Sequence, residues 1–212
     1  MTRTWLRRGF LVTLVLTSGL LFVALRTPGG PRPLRVFEPD RMADLELDMW
    51  QAYYAHENFR LFGDLLTTLR EQYGYSWARA SLGGFYLARA ARTFGDTRSN
   101  YEQVLPDLER AYAMVKSRSG AAFDPPAVAR AELNWWVARR VPGQDDPVNV
   151  GRLIAAENAL LFEVPLERVL DASTLRARAG RLRDEGGAAA DWNVVSRLLH
   201  QSYEQLHAAV QR

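Results

Sequence analysis

From Asp40 onward the apolar residues recur at spacings of three and four, and glycine or proline falls mainly between the periodic stretches. Positions three and four apart share one side of an α-helix, so the pattern predicts a run of amphipathic helices. Seven segments follow from it. The first spans about 40–73, with a break expected near His56 to Asn58 and with Leu45, Met49, Ala52 and Phe59 on one side. The second, Ser76 to Phe94, carries Leu82, Phe85, Tyr86 and Ala90; Gly83 and Gly84 lie within its helical pattern. The third, Asn100 to Ser117, aligns Tyr101, Val104, Leu105, Leu108, Tyr112 and Val115, and Pro106 should bend it or mark its true start.

The fourth segment opens at Asp124, a capping residue followed by Pro125 and Pro126, and stops before Pro142-Gly143. Asp146-Pro147 starts the fifth in the same way, and it reaches Phe162. The sixth runs from Pro165 to just before Gly186-Gly187. Asp191 caps the last, whose stripe contains Trp192, Val195, Leu199, Leu206 and Val210. No stretch alternates β-branched residues as a strand would. The expected class is all-α: a bundle or irregular stack of about seven helices with mostly antiparallel neighbours. Leu82-Gly83 and Tyr86 match a fragment of the tetratricopeptide pattern, but the tryptophan is two places out of register and the later small residues are missing. A bundle is favoured over that repeat.

A different pattern precedes these helices. Gly9 to Leu25 is free of charge, follows Arg3, Arg7 and Arg8, and is closed by Arg26. Seventeen residues rising about 1.5 Å each give roughly 25 Å, a short but sufficient span where Arg8 and Arg26 reach to the lipid headgroups and Trp5 sits among them. The arginine pair predicts a cytoplasmic N-terminus and an exported domain, placing the chain in a bacterial inner membrane with residues 40–212 periplasmic or extracellular. A cleaved export signal would need a small-x-small site, and Leu25 followed by Arg26 is a poor one, so an uncleaved anchor is expected. Residues 1–26 are then the cytoplasmic stub and anchor. Residues 27–39, with four prolines and two glycines, read as a semi-extended spacer that lifts the domain off the bilayer.

Charge changes the picture only once its location is known. The whole chain has 27 basic and 24 acidic residues and a pI near 9.4, which suggests nucleic acid as a partner. Six of those arginines and only Glu38 precede the folded region, which leaves 21 basic against 23 acidic residues there. The basicity belongs to membrane topology, and no nucleic-acid partner is expected. Lys116 is the only lysine, an arginine bias that fits a GC-rich genome. The absence of cysteine excludes disulfides, a thiol nucleophile, a cysteine zinc site and a lipid-modified cysteine.

Candidate chemistry rests on acids in apolar stripes. Positions 150, 154, 157, 161 and 164 form a seam occupied by Val, Ile, Leu and Val except at Glu157. Glu132 shares a face with Val128 and Trp135, and Glu46 lies between Met42 and Trp50. A carboxylate facing a core must be paired, hydrogen-bonded or neutral. The bland account pairs Glu132 or Glu157 with Arg139, Arg140 or an arginine of the sixth segment. A ferritin-like di-iron centre needs Glu-x-x-His pairs, yet Met49, Trp135 and Leu160 stand where the histidines should be. His200, Glu204 and His207 lie along one side of the last segment, where Gln201, Gln205 and Gln211 mark a solvated face rather than a metal site.

Trp135-Trp136 beside Arg139-Arg140, and Trp50 beside Tyr53-Tyr54, should each place one ring inward and one at the margin, as core packing or as a docking patch. Arg176, Arg178, Arg181 and Arg183 read as a solvated face with some internal pairing, given Asp171, Asp184 and Glu185 nearby. No Gly-x-Ser-x-Gly, phosphate loop or partnered serine occurs, and no cofactor is implied. The expectation is an anchored binding, scaffold or assembly module of the envelope with a protein partner. Glu132, Glu157, Trp135, Trp136, Arg139 and Arg140 are its candidate binding residues. The alternative is a helical enzyme or ligand or metal carrier that uses Glu132 and Glu157.

Overall fold

The computed structural model describes residues 17, 18, 20–26 and 30–211, and among them there is no strand. The helices are α1 (Pro39–Tyr54), α2 (Asn58–Glu71), α3 (Trp77–Asp96), α4 (Leu105–Ser119), α5 (Pro125–Ala138), α6 (Pro147–Phe162), α7 (Leu166–Gly186) and α8 (Trp192–Gln211). The all-α class is as the periodicity predicts. The first expected segment is two helices, separated at His56, whose φ of +58° is left-handed and cannot continue a helix. Pro106 marks the true start of α4, after a 3-10 turn at Tyr101–Val104.

The caps follow the sequence in most places. Ser76 accepts from the amide of Arg79, and Asp146 accepts from those of Val148 and Asn149. Asp191 accepts from Asn193 and Val194. Asp124 is the exception: it holds the N-cap position of α5 but its carboxylate accepts no capping bond. Pro125 and Pro126 have already removed donors from that first turn, so little remains for it to satisfy.

Each helix packs chiefly on the one that follows it, and α8 packs back on α1, which closes the set. This differs from an open solenoid of hairpins. Because contacts run between neighbours around the closure, the apolar core is divided into wedges. One joins α1, α6, α7 and α8 through Ala43, Ala155, Val169, Val195 and Leu199; another joins α3, α4 and α5 through Ala90, Leu108, Ala129 and Leu133. Smaller ones lie between α5, α6 and α7 and between α2 and α3.

Three expected core residues face outward. Phe59 is 98% exposed, and Leu82 and Phe85 are about half exposed. The break at His56 gives α2 its own rotation, and it buries Thr68 and Leu69 instead of Phe59. Helix α3 buries Ala80, Gly83, Gly84 and Ala90, small residues that bring its neighbours close and turn the larger ones to the outside.

Close approach is tightest between α6 and α7. A Cβ at Gly151 would lie 2.7 Å from the Thr174 Cα, which is backbone and cannot swing away. Gly151→Ala is expected to separate the two helices and cost about 1–3 kcal/mol, read as a melting temperature several degrees lower at unchanged helical content. A melting temperature equal to that of the parent would show that α6 and α7 slide freely past each other.

The proline-rich segment is non-helical from residue 30 to 38 but does not stand off from the domain. The Arg32 amide donates to the Arg118 carbonyl at 3.2 Å, and the Arg35 guanidinium donates to the Phe162 carbonyl at 2.8 Å. Phe37 is buried against Phe162, Tyr203 and His207. An aromatic ring two residues ahead of α1 has more to gain from that wedge than from water. The expected spacer is therefore part of the fold from residue 30, docked where α2, α4, α6 and α8 end. Residues 9–16 and 19 of the expected span lie outside the described residues; residues 20–25 are helical, and no helix among the described residues is long and apolar enough to cross a membrane.

Candidate functional site

The interior stripes of α1, α4, α5, α6, α7 and α8 bring polar side chains together, and the acids named from sequence are among them. Glu46 on α1 is 4% exposed, and Arg176 of α7 meets it with Nε at 3.0 and 3.1 Å from its two oxygens. The Tyr203 hydroxyl of α8 donates to Glu46 Oε2 at 2.7 Å. One guanidinium and one phenol thus satisfy the carboxylate from two other helices, the bidentate geometry that arginine favours. Burial presses the Arg176 pKa down, but the Glu46 and Tyr203 oxygens outweigh that and hold it above its ordinary value.

Glu157 of α6 accepts from the Tyr112 hydroxyl at 2.8 Å and from the Trp135 indole at 2.6 Å. These are neutral donors. Among the described residues no salt bridge reaches it, and burial raises its pKa while Arg176, Tyr112 and Trp135 pull in the other direction. Glu132 of α5 is less well provided for. Its Oε2 is sealed from solvent and has no hydrogen-bond partner. Burial, with the Glu157 charge beside it, pushes its pKa up to about 8, which favours the protonated form over the anion.

The centre therefore holds three acids against one arginine, with Glu132 biased toward its neutral form by burial. Burial and the nearby Glu157 and Glu132 carboxyls raise the Tyr73 phenol to about 12, which keeps it neutral. Chemically, this set can hold a proton near neutrality, pass it between the two acids through the Tyr112 hydroxyl, or receive a cationic group.

Arg139 and Arg140 do not join it. Arg139 binds Asp184 through Nε at 2.9 Å, and Arg183 binds the same carboxylate at 2.8 Å while its guanidinium lies 3.9 Å above the Trp50 ring. Tyr54 donates to Asp184 at 2.7 Å, and its pKa is pushed up to about 12 by burial and that bond. Arg140 donates to the Phe94 and Thr97 carbonyls and stacks on Phe94 at 3.7 Å. Both are engaged away from the acids, Arg139 by Asp184 and Arg140 by carbonyls at the C-terminal end of α3. The expected pairing of Glu132 or Glu157 with Arg139 or Arg140 is corrected accordingly. Trp135 is buried on Glu157, and Trp136 is half-buried against Phe94, one inward and one marginal.

The last helix also differs from its sequence reading. His200 is half-buried, 3.3 Å from Asp44 and bonded to the Ser196 carbonyl, while His207 packs edge-on to Phe37. They fasten α8 to α1 and the linker, and are not a solvated pair. Among the described residues no group of three or more histidine, aspartate or glutamate side chains could hold a metal ion.

Tyr112 and Tyr203 are site residues that sequence reasoning did not single out, and Arg176 entered it only as one of the sixth-segment arginines open to pairing with an interior acid. A signal existed for each. Tyr112 was aligned in the third segment's apolar stripe, and Tyr203 falls between Leu199 and Leu206 in the last, polar atoms inside apolar seams just as Glu157 is. Arg176 falls on the stripe Val169, Ala172, Ala179, hidden among neighbouring arginines. No family model matches the chain, and neither a curated protein nor a solved structure is similar enough to count as a match.

Proposed function

We propose that this chain is a single-pass protein of a bacterial inner membrane, with residues 9–25 crossing the bilayer and the helical domain acting outside the cytoplasm as a binding or assembly module. The observation that carries the reading is the uncharged run between Arg7-Arg8 and Arg26, placed just ahead of a domain whose linker is pinned at one end. A charge-free run of that length has lipid as its natural solvent, and the arginine bias sets its direction. Alkaline extraction of membranes and protease protection in spheroplasts test it together. The intact chain should stay in the membrane pellet with its domain cut only from outside; recovery of the whole chain in the soluble cytosolic fraction would overturn both location and role.

A second reading, an interior ligand or proton site on Glu132 and Glu157, is favoured by one observation. Glu132 Oε2 is buried without a partner beside a second acid. A buried carboxyl oxygen without a partner costs stability, and such a cost is kept where the group has work to do.

A further inference from the structure

The outward face of α2 and α3 is the least explained surface of the molecule. Phe59 is 98% exposed, Phe85 51%, Leu82 47% and Phe62 37%. With an aromatic side chain worth about 150–250 Å² when covered, these four offer about 400 Å², the size at which an apolar patch on a single chain marks an interaction site. We infer that this face docks a second copy of the same chain, with the two-fold axis running parallel to α2 and α3. The inference deepens the binding-module reading by naming its partner.

Three features of the face point to a copy of itself. The first is register. A Cβ at Gly84 would lie 3.1 Å from Leu66 and 3.3 Å from Phe62, so position 84 of α3 stands level with the middle of α2. The helices run antiparallel, which puts Phe85 about level with Gly63, Ala88 with Phe59, and Arg92 with Glu57. A two-fold parallel to them lays α2 of one copy against α3 of the other at equal height. Phe85 then covers Gly63 of the second copy, where an added Cβ would meet nothing within 4 Å, and Phe59 covers its exposed Ala88. Large residues meet small ones, as a packed interface needs.

The second is charge. On the α1 side of the patch Asp48, Glu57 and Asp64 surround the single Arg60, leaving that flank negative. On the α4 side Arg89 and Arg110 share the single Asp107, and Arg92, 86% exposed, is held only at 3.7 Å from Asp96. That flank is positive. The parallel axis brings the negative flank of each copy to the positive flank of the other at both seams, whereas a perpendicular axis sets like against like. The third is placement. The parallel axis leaves both linkers at the same end of the dimer, as two chains anchored in one bilayer require; this clause alone rests on the proposed anchor.

The apolar patch supplies about half of the roughly 800 Å² per partner of a standard interface, and the charged seams on either side would make up the rim. The test uses the full chain in detergent, with mass measured by light scattering and by sedimentation across a concentration series. The parent should run as two chains. Phe59→Ser combined with Phe85→Ser should weaken association by roughly tenfold or more at unchanged helical content, because Phe59 is almost wholly and Phe85 half in water in the single chain. Glu57→Arg alone and Arg92→Glu alone should each run as one chain, and an equimolar mixture of the two should restore the pair, since both seams are then complementary. A parent that is a single chain at every concentration, a pair indifferent to both sets of changes, or a mixture that stays apart would each overturn the inference. Capture of a different envelope protein through Phe59 by a monomeric parent would also overturn it while leaving the module reading intact. Phe59-dependent pairing of a chain found in the soluble fraction would uphold the surface and sink the anchor.

Discussion

Replacing Glu46 with alanine is expected to lower the stability of the domain by about 3–5 kcal/mol, the range seen when one member of a buried ion pair is removed. The Arg176 guanidinium would be left facing the interior with neither carboxylate oxygen, and the Tyr203 hydroxyl would lose its Glu46 acceptor. For a domain of this size that corresponds to a fall of roughly 10 °C in melting temperature. The cost is one of stranded charge and not of lost attraction. Glu46→Met together with Arg176→Met should therefore cost far less than the sum of the single changes and return much of the lost stability. Thermal unfolding of the two single variants and the double variant gives the coupling directly. Additive losses would mean that Glu46 and Arg176 act independently and that the contact across α1, α7 and α8 is incidental.

That contact also explains why the closure of α8 onto α1 could not be seen in the sequence. Periodicity reports which side of a helix is apolar, so it gave the all-α class, most of the helix boundaries and the break at His56. It carries no information on which helix a side chain will meet. Glu46 and Tyr203 are 157 residues apart, and nothing local to either one names the other. The acids of the centre were legible because each interrupts an apolar seam, a purely local signal. Their partners were less so: Arg176 is one of several arginines on α7, and only its position relative to Ala172 and Ala179 sets it apart. The same limit accounts for Phe59, Leu82 and Phe85. An apolar residue at helical spacing is expected to be inside, and only the rotation imposed by the His56 break and the small residues of α3 turn these three to the surface.

The interior acids differ in what their surroundings ask of them. Glu46 is met by a guanidinium and a phenol, Glu157 by two neutral donors, and Glu132 by burial that favours its protonated form. This ordering runs around the closure from α1 to α6 and α5, from an ion pair that ties three helices together to an acid held without a cationic partner.

Stability should therefore fall as pH rises from 5 to 8, and Glu132→Gln should abolish most of that fall. The folded-state pKa of Glu132 is pushed up to about 8 from an ordinary value of 4.5. Between those values the folded chain holds a proton that the unfolded chain has released. The contribution is complete below about pH 4.5 and is lost as pH climbs through the folded-state value, at up to about 1.4 kcal/mol per pH unit. Because Glu157 titrates with it, the loss is spread over the pair, and about 2–4 kcal/mol between pH 5 and 8 is expected, or roughly 5–12 °C in melting temperature. Glutamine keeps the shape of the protonated acid and cannot ionise. The variant should melt at nearly the same temperature across this range and above the parent at pH 8. A pH slope that survives in Glu132→Gln but disappears in Glu157→Gln would place the proton on α6; a slope that survives in both would remove the shared proton altogether. A variant stabler than its parent at pH 8 would also mean that this acid is not kept for the fold, which is the behaviour expected of a group with a ligand or a proton to handle.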